Sequence, residues 1–356
     1  MSLREEKQEY DMIRDIRETP AALRSITRAL NRMNELADLA HKFKKIFFIG
    51  CGSSYYAALF GSWPLAKSSK VLAYALPSSE LIFHFADIID SNSLVVGISR
   101  SGRTAETIAA LNICRKKGAY IIGFSIEEES SMLDVVDDLV VLDIGGERSI
   151  IMTKSFSTLS LATSVFSSIL NERVFKEKQP LIEESKVMPS LAERLLKNES
   201  MVADISKRLI DENIERFIFL GSGPSYPIVL EGALKVKETS YVATEGLHLL
   251  EFRHGPMAMV GEKFSLVISC FLNENNVHLK NFISEFANKN VDMILITDTA
   301  FNGPKETVIE MPIEYSGECK ALLSIIPMQI LAYYYAVGKG RNPDKPRNLS
   351  RYVQRF

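Results

Sequence analysis

The sequence predicts an α/β fold built twice in tandem, and three observations carry that reading. Short apolar runs alternate with helical patterns along the chain, as parallel sheets covered on both faces by helices require. A strand–turn–helix signature occurs twice, FFIGCGSSYYAAL from Phe47 and IFLGSGPSYPIVL from Ile218. Gly50, Gly52, Ser54 and Tyr55 thereby recur as Gly221, Gly223, Ser225 and Tyr226 at a constant offset of 171. The 356 residues are long for one domain and suit two, and 46% hydrophobic with 24% charged residues can bury a sizeable core.

Residues 1–40 read as a helical lead-in. Its start, MSLREEKQEYDMIRDIRE, is charged and helical in pattern, unlike a signal peptide. The first domain spans 41–172. Its glycine turn lets a buried strand bend sharply into a helix. SLVVGIS (93–99), AYIIGFS (119–125) and DDLVVLDI (137–144) follow as strands, with TAETIAALNICRKKG as a helix closed by Gly118. Residues 173–205 form a charged helical connector. The second domain, 206–338, has a helix from Tyr226 to Ser240 and strands FSLVISCF, VDMILIT and TVIEMPI. It ends in the apolar stretch from Ala321 to Gly338. Ser324, Pro327 and Gln329 interrupt that stretch, which is short for a membrane span and reads as a buried helix. Residues 339–356 are a C-terminal tail.

With 42 basic and 44 acidic residues, the net charge of −2 supplies no bulk field for nucleic acid or anionic lipid. Cys51, Cys114, Cys270 and Cys319 are scattered with no paired spacing. They fit free thiols in a reducing, cytoplasmic setting, and no residue pattern asks for a metal.

Ser99-Arg100-Ser101-Gly102-Arg103-Thr104 lies between a predicted strand and a helix. Amide groups at a helix start joined by three hydroxyls make a cradle for a phosphate, with Gly102 allowing close approach. An ordinary helix cap would need one hydroxyl. The same offset lands on Cys270–Asn275, which has neither hydroxyl nor glycine, so one anion site per chain is expected. A dinucleotide fingerprint would need glycine where Tyr55 stands, and no cofactor is expected.

In the second domain Glu231, Lys235 and Glu238 share one helix face, with Val229, Ala233, Val236 and Ser240 on the other. Alone, that face could be a solvated row of ion pairs. The following TEGLHLLEFRHGP segment adds His254 in a loop held by Gly255 and Pro256, the side chain best suited to proton transfer near neutral pH. His248 lies in the same region and stays open, while His41, His84 and His278 read as surface or core residues. A glutamate and a histidine beside a phosphate cradle suit proton abstraction next to a carbonyl.

Together these motifs resemble the sugar isomerase (SIS) domain family, and most of all the double-domain isomerase half of the glucosamine-6-phosphate synthases. The likeness runs from Asp15-Ile16-Arg17-Glu18-Thr19-Pro20 to Pro346-Arg347-Asn348-Leu349. It implies two tandem SIS domains, each a flavodoxin-like parallel sheet covered by helices. It implies a sugar phosphate held by Ser53, Ser54, Ser99, Arg100, Ser101, Gly102 and Thr104. Glu238 would move a proton between C1 and C2, and Glu231 and Lys235 would shape the site and bind sugar hydroxyls. His254 would open the sugar ring from the neighbouring subunit, implying a homodimer, with a tetramer left open.

Four departures bear on the chemistry. Arg100 stands where the synthases have glutamine, and Met152 where they have serine. Arg351 stands where their tail lysine forms an imine, which a guanidinium cannot do, although it could still close the site with the 339–356 tail and pair with phosphate or a carboxylate. Their glutaminase domain with its N-terminal cysteine has no counterpart before Asp15. The resemblance then implies conversion of glucosamine 6-phosphate to fructose 6-phosphate and ammonia. The alternatives are a fructosamine-6-phosphate deglycase and, from a different class, a sugar-phosphate sensor. A sensor would need neither Glu238 nor His254.

Overall fold

The computed structural model describes residues 9–67, 71–271, 277–287, 291–298, 306–312 and 314–356. Two five-stranded sheets carry the chain. The first contains β1 (Lys45–Gly50), β2 (Leu72–Pro77), β3 (Ser93–Ile98), β4 (Tyr120–Ser125) and β5 (Asp138–Val141), in the order β2-β1-β3-β4-β5. The second contains β6 (Arg216–Gly221), β7 (Ala243–His248), β8 (Phe264–Ser269), β9 (Asp292–Thr297) and β10 (Glu306–Glu310), in the order β10-β9-β8-β6-β7. Read from β7, this is the same order, and every pairing is parallel. Both sheets thus have the flavodoxin-like strand order expected from the sequence.

The apolar runs exist because the central strands are buried on both faces. Alternate side chains enter different cores. In β1, Ile46 and Phe48 point into a core shared by both sheets, whereas Phe47 and Ile49 join an outer core with Leu111 and Cys114. In β6, Phe217 and Phe219 enter the shared core, and Ile218 and Leu220 an outer one with Phe282 and Phe286. The helix Ser53–Ala66 lies between the sheets, packed against helices Lys154–Phe175 and Ser225–Ser240.

Several elements differ from the sequence reading. β2 (LAYALP) and β7 (ATEGLH) are edge strands with half-exposed faces that the sequence reading did not mark, and only β7 lacks an apolar run. The 22-residue helix Lys154–Phe175 is hidden by its serines and threonines. Several of those hydroxyls return to backbone carbonyls, Thr158 Oγ1 to Lys154 O at 2.8 Å and Ser167 Oγ to Gly61 O at 2.6 Å, which offsets much of the cost of burying a polar composition. The connector is two helices, Pro180–Leu196 and Glu199–Asp211. The charged face of Ser225–Ser240 is enclosed rather than solvated: Glu231 and Lys235 are fully buried along with Val229, Ala233 and Val236. Gly317–Gly338, long and apolar enough to cross a membrane, is buried inside the fold as two successive helices. The lead-in begins its described helices at Asp11, where Asp344 from the tail accepts the Asp11 and Met12 amides at 2.6 and 2.9 Å.

The glycine that ends each repeated strand is required by close packing. A Cβ at Gly50 would stand 2.6 Å from the Ser54 backbone, and one at Gly221 2.7 Å from the Ser225 carbonyl. Gly50→Ala should therefore cost about 1–3 kcal/mol in urea unfolding. Gly261→Ala, in open space, should leave the midpoint unchanged.

Candidate active site

The strand order reverses between β1 and β3, the place where open α/β sheets form a crevice at their carboxyl ends. The first glycine turn and the Ser99–Thr104 loop meet there. Gly52 takes φ +54° so that the chain can enter the helix at Ser53. Gly102 takes φ +61°, and a side chain there would run into Ser130. The loop braces itself: Ser99 Oγ accepts the Gly102 amide at 3.1 Å and lies 3.1 Å from Thr104 Oγ1, and Ser101 Oγ accepts the Arg103 amide at 3.2 Å. The matching segment after β8 cannot be compared, since residues 272–275 lie outside the described residues.

The helix Ser225–Ser240 brings its charged face to the same place. Lys235 Nζ is 2.9 Å from Glu231 Oε1 and 2.8 Å from Glu238 Oε2, and it donates to Ser53 Oγ at 3.3 Å. Ser53 Oγ in turn donates to Glu231 Oε1 at 3.0 Å. Burial raises the Glu231 carboxyl to about 7; the Lys235 charge opposes that shift and the Glu238 charge adds to it. For Lys235, burial works against the ammonium, but the two carboxylates outweigh it and hold the pKa above the ordinary lysine value. Glu238 is the member of the trio with an exposed edge, its side chain 18% accessible.

That edge opens onto a cavity of about 220 Å³. Ser53, Ser54, Arg100, Ser101, Thr104, Met152, Glu238 and Arg351 all line it. Glu231 and Lys235 lie behind Ser53, and Ser99 and Gly102 shape the loop from beneath. Among the sequence-selected residues, His254 is the one the single chain does not bring in. It sits exposed on the turn after β7, its amide bonded to Glu251 O at 2.9 Å. His248 stacks on Tyr226, and burial lowers its pKa. A larger groove of about 550 Å³ beside Arg17, Lys207 and Tyr334 contains none of these residues. Among the described residues, no group of three or more His, Cys, Asp or Glu is placed to hold a metal ion.

Two features were not legible in the sequence. Arg100 does not present a free guanidinium. Its Nη1 donates to Glu147 Oε2 at 3.0 Å and to Ile150 O at 2.9 Å, and its Nη2 to Arg351 O at 2.8 Å. Glu147 itself is buried and also takes Thr153 N at 2.8 Å and Ser155 Oγ at 2.5 Å. Burial opposes its charge, but Arg100 and the Ser155 and Thr153 donors prevail and hold its pKa below the usual value. Thr153 and Ser155 lie close to Glu147 in sequence, but its charged partner Arg100 is 47 residues away and reaches it only through folding. Asp15 and Glu18 of the lead-in complete the support by pairing with the buried Lys154 at 3.4 and 2.5 Å.

Two outcomes follow from the buried trio. Lys235→Met leaves two facing carboxylates without their cation and should lower unfolding stability by about 3 kcal/mol in urea titration. Because the folded pKa of Glu231 is raised, its proton stabilises the fold fully below about 4.5, and that contribution is lost as pH rises through about 7. Glu231→Gln should remove this downward slope from a plot of stability against pH.

The comparisons with known proteins agree with this geometry. The SIS domain model matches residues 39–170 and 209–337. The glutamine–fructose-6-phosphate aminotransferase (isomerizing) of Pyrococcus horikoshii is 31% identical over 347 residues, covering 97% of this chain. The chain spans 58% of that relative's length. Among solved structures, the C-terminal domain of glucosamine-fructose-6-phosphate aminotransferase from Francisella tularensis superposes with a TM-score of 0.86 at 28% identity, covering 96% of this chain and 99% of that one. Glucosamine-6-phosphate deaminase from Thermotoga maritima superposes with a TM-score of 0.69 at 27% identity, covering 93% and 99%. With both repeats matched and both sheets in the same order, the chain belongs to the SIS (sugar isomerase) domain family as a tandem pair.

Proposed function

We propose that this chain is an amino-sugar-phosphate isomerase that converts glucosamine 6-phosphate to fructose 6-phosphate and ammonia. The observation that carries the reading is the placement of Glu238 on the same small cavity as the Ser99–Thr104 loop. A base beside an anion cradle can hold a phosphosugar by its remote end while a proton moves at C1 and C2. Ser54, Ser101 and Thr104 bind the phosphate with the amides of their loops. After ring opening, Glu238 takes the C2 proton, the electrons form the C1–C2 double bond, and the C1 carbonyl oxygen gains a proton. Glu238 then returns its proton to C1, leaving an imine at C2. Water adds to that carbon and ammonia departs, giving the ketose phosphate.

Lys235 orients Glu238, and Glu231 fixes Lys235 from behind. Ring opening falls to His254 from a second copy of the chain, so the active form is a homodimer, acting in the cytoplasm without metal or cofactor. Two further points support release of ammonia. The Thermotoga maritima neighbour bears the name of a deaminase. Arg351 stands at the tail position where an imine-forming lysine would serve amination, and it cannot form one.

Purified protein given glucosamine 6-phosphate should release fructose 6-phosphate and ammonia in equal amounts. Glu238→Gln should lower kcat about 100- to 10,000-fold while still binding the substrate. Retained turnover in that variant would remove Glu238 as the base. Glucose 6-phosphate formed instead from fructose 6-phosphate joined to an amino acid would replace the deaminase reading with a deglycase.

A further inference from the structure

The tail crosses the mouth of the cavity, and its far end makes a ring contact, Phe356 on Phe83 with centroids 5.8 Å apart. None of residues 347–356, all of them described, is buried, and Leu349, Val353 and Phe356 are largely exposed. Over the cavity itself, polar contacts at residues 351 and 353 hold it. Arg100 Nη2 donates to the Arg351 carbonyl at 2.8 Å, and Arg351 Nη1 donates back to the Glu147 carbonyl at 2.8 Å. The Ala105 amide, at the start of the helix after the phosphate loop, donates to Val353 O at 3.1 Å.

The cation at the centre of these contacts is buried, and a buried cation is kept in one orientation by its counter-charge. Glu147 is that counter-charge. Its own carboxylate is fixed by Thr153 and Ser155, at the start of the long helix Lys154–Phe175. A rigid helix start therefore orients Glu147, Glu147 orients Arg100, and Arg100 holds the backbone of the tail. Hydrogen bonds from a charged donor are the strong ones, so this route dominates a segment that buries no apolar side chain.

We propose that Glu147 is a positioning residue that, through Arg100, latches residues 349–353 over the Glu238 cavity and so completes the wall of the substrate site. Its consequence for turnover rests on the proposed function, since it takes that cavity as the place of reaction. The closure itself does not.

Hydrogen exchange of the full chain without ligand tests the latch in wild type, Glu147→Gln and the double variant Arg100→Gln/Glu147→Gln. The double variant removes both buried charges at similar volume, and so should fold even where the single one does not. Exchange in the peptide containing the Ala105 amide, which the latched tail protects through the Val353 carbonyl, should rise about tenfold or more in each folded variant. The strands of the first sheet should stay within about twofold of wild type. With glucosamine 6-phosphate, KM should rise about tenfold or more while kcat changes less than about threefold, as expected for lost uniform binding. A folded double variant whose Ala105 peptide exchanges like wild type overturns the latch. Exchange that rises evenly across the first domain also overturns it, because Glu147 would then serve only stability. Absence of turnover in the wild type would fail the proposed function and leave the exchange result to decide the latch.

Discussion

The buried ammonium of Lys235 is the interaction on which the arrangement turns. It lies between Glu231 and Glu238 on its own helix and reaches Ser53 at the start of a helix from the other domain. Burying a charge alone would cost several kcal/mol, and burying Lys235 with Glu231 beside the partly exposed Glu238 is tolerable only if they face one another in good geometry. That demand ties the two halves of the chain together. The helix carrying the charges must lie against the first glycine turn, and Glu238 is thereby delivered to a cavity built largely by the other domain.

Duplication explains how one cavity draws on both halves. Each copy makes the same strand order and the same sharp glycine turn, with Gly52 and Gly223 at nearly the same positive φ, +54° and +58°. The copies differ in what they supply. The first places a hydroxyl-bearing loop at its switch point, and the second lends a helix with paired charges. Ser53 and Glu231 sit on opposite sides of that division and are joined by a 3.0 Å hydrogen bond.

The ends of the chain serve the same centre from outside. The tail leaves the second domain where Arg347 stacks on Tyr241, which caps the charged helix, and then crosses to the first domain through Arg100 and Ala105. The lead-in receives its helix cap from Asp344 and supports the segment after Glu147 through Asp15, which accepts the Arg148 and Ser149 amides at 2.9 and 2.8 Å. Both termini are therefore structural neighbours of the site, although each lies far from it in sequence.

By itself the sequence determined the architecture and most of the candidate site. Apolar periodicity, the repeated glycine turn, and the spacing of Ser99–Thr104 and of Glu231, Lys235 and Glu238 are local patterns, and local patterns survive without coordinates. What lacked a local pattern was missed. The edge strand β7 has no continuous apolar run, and the serine-rich helix after Lys154 conceals its burial by returning hydroxyls to backbone carbonyls. Only the tertiary structure decided that the charged helix face is enclosed and that Arg100 is committed to Glu147 and the tail. The reason is the same in each case. The worth of a charge depends on burial and on partners distant in sequence, and both exist only after the chain has folded.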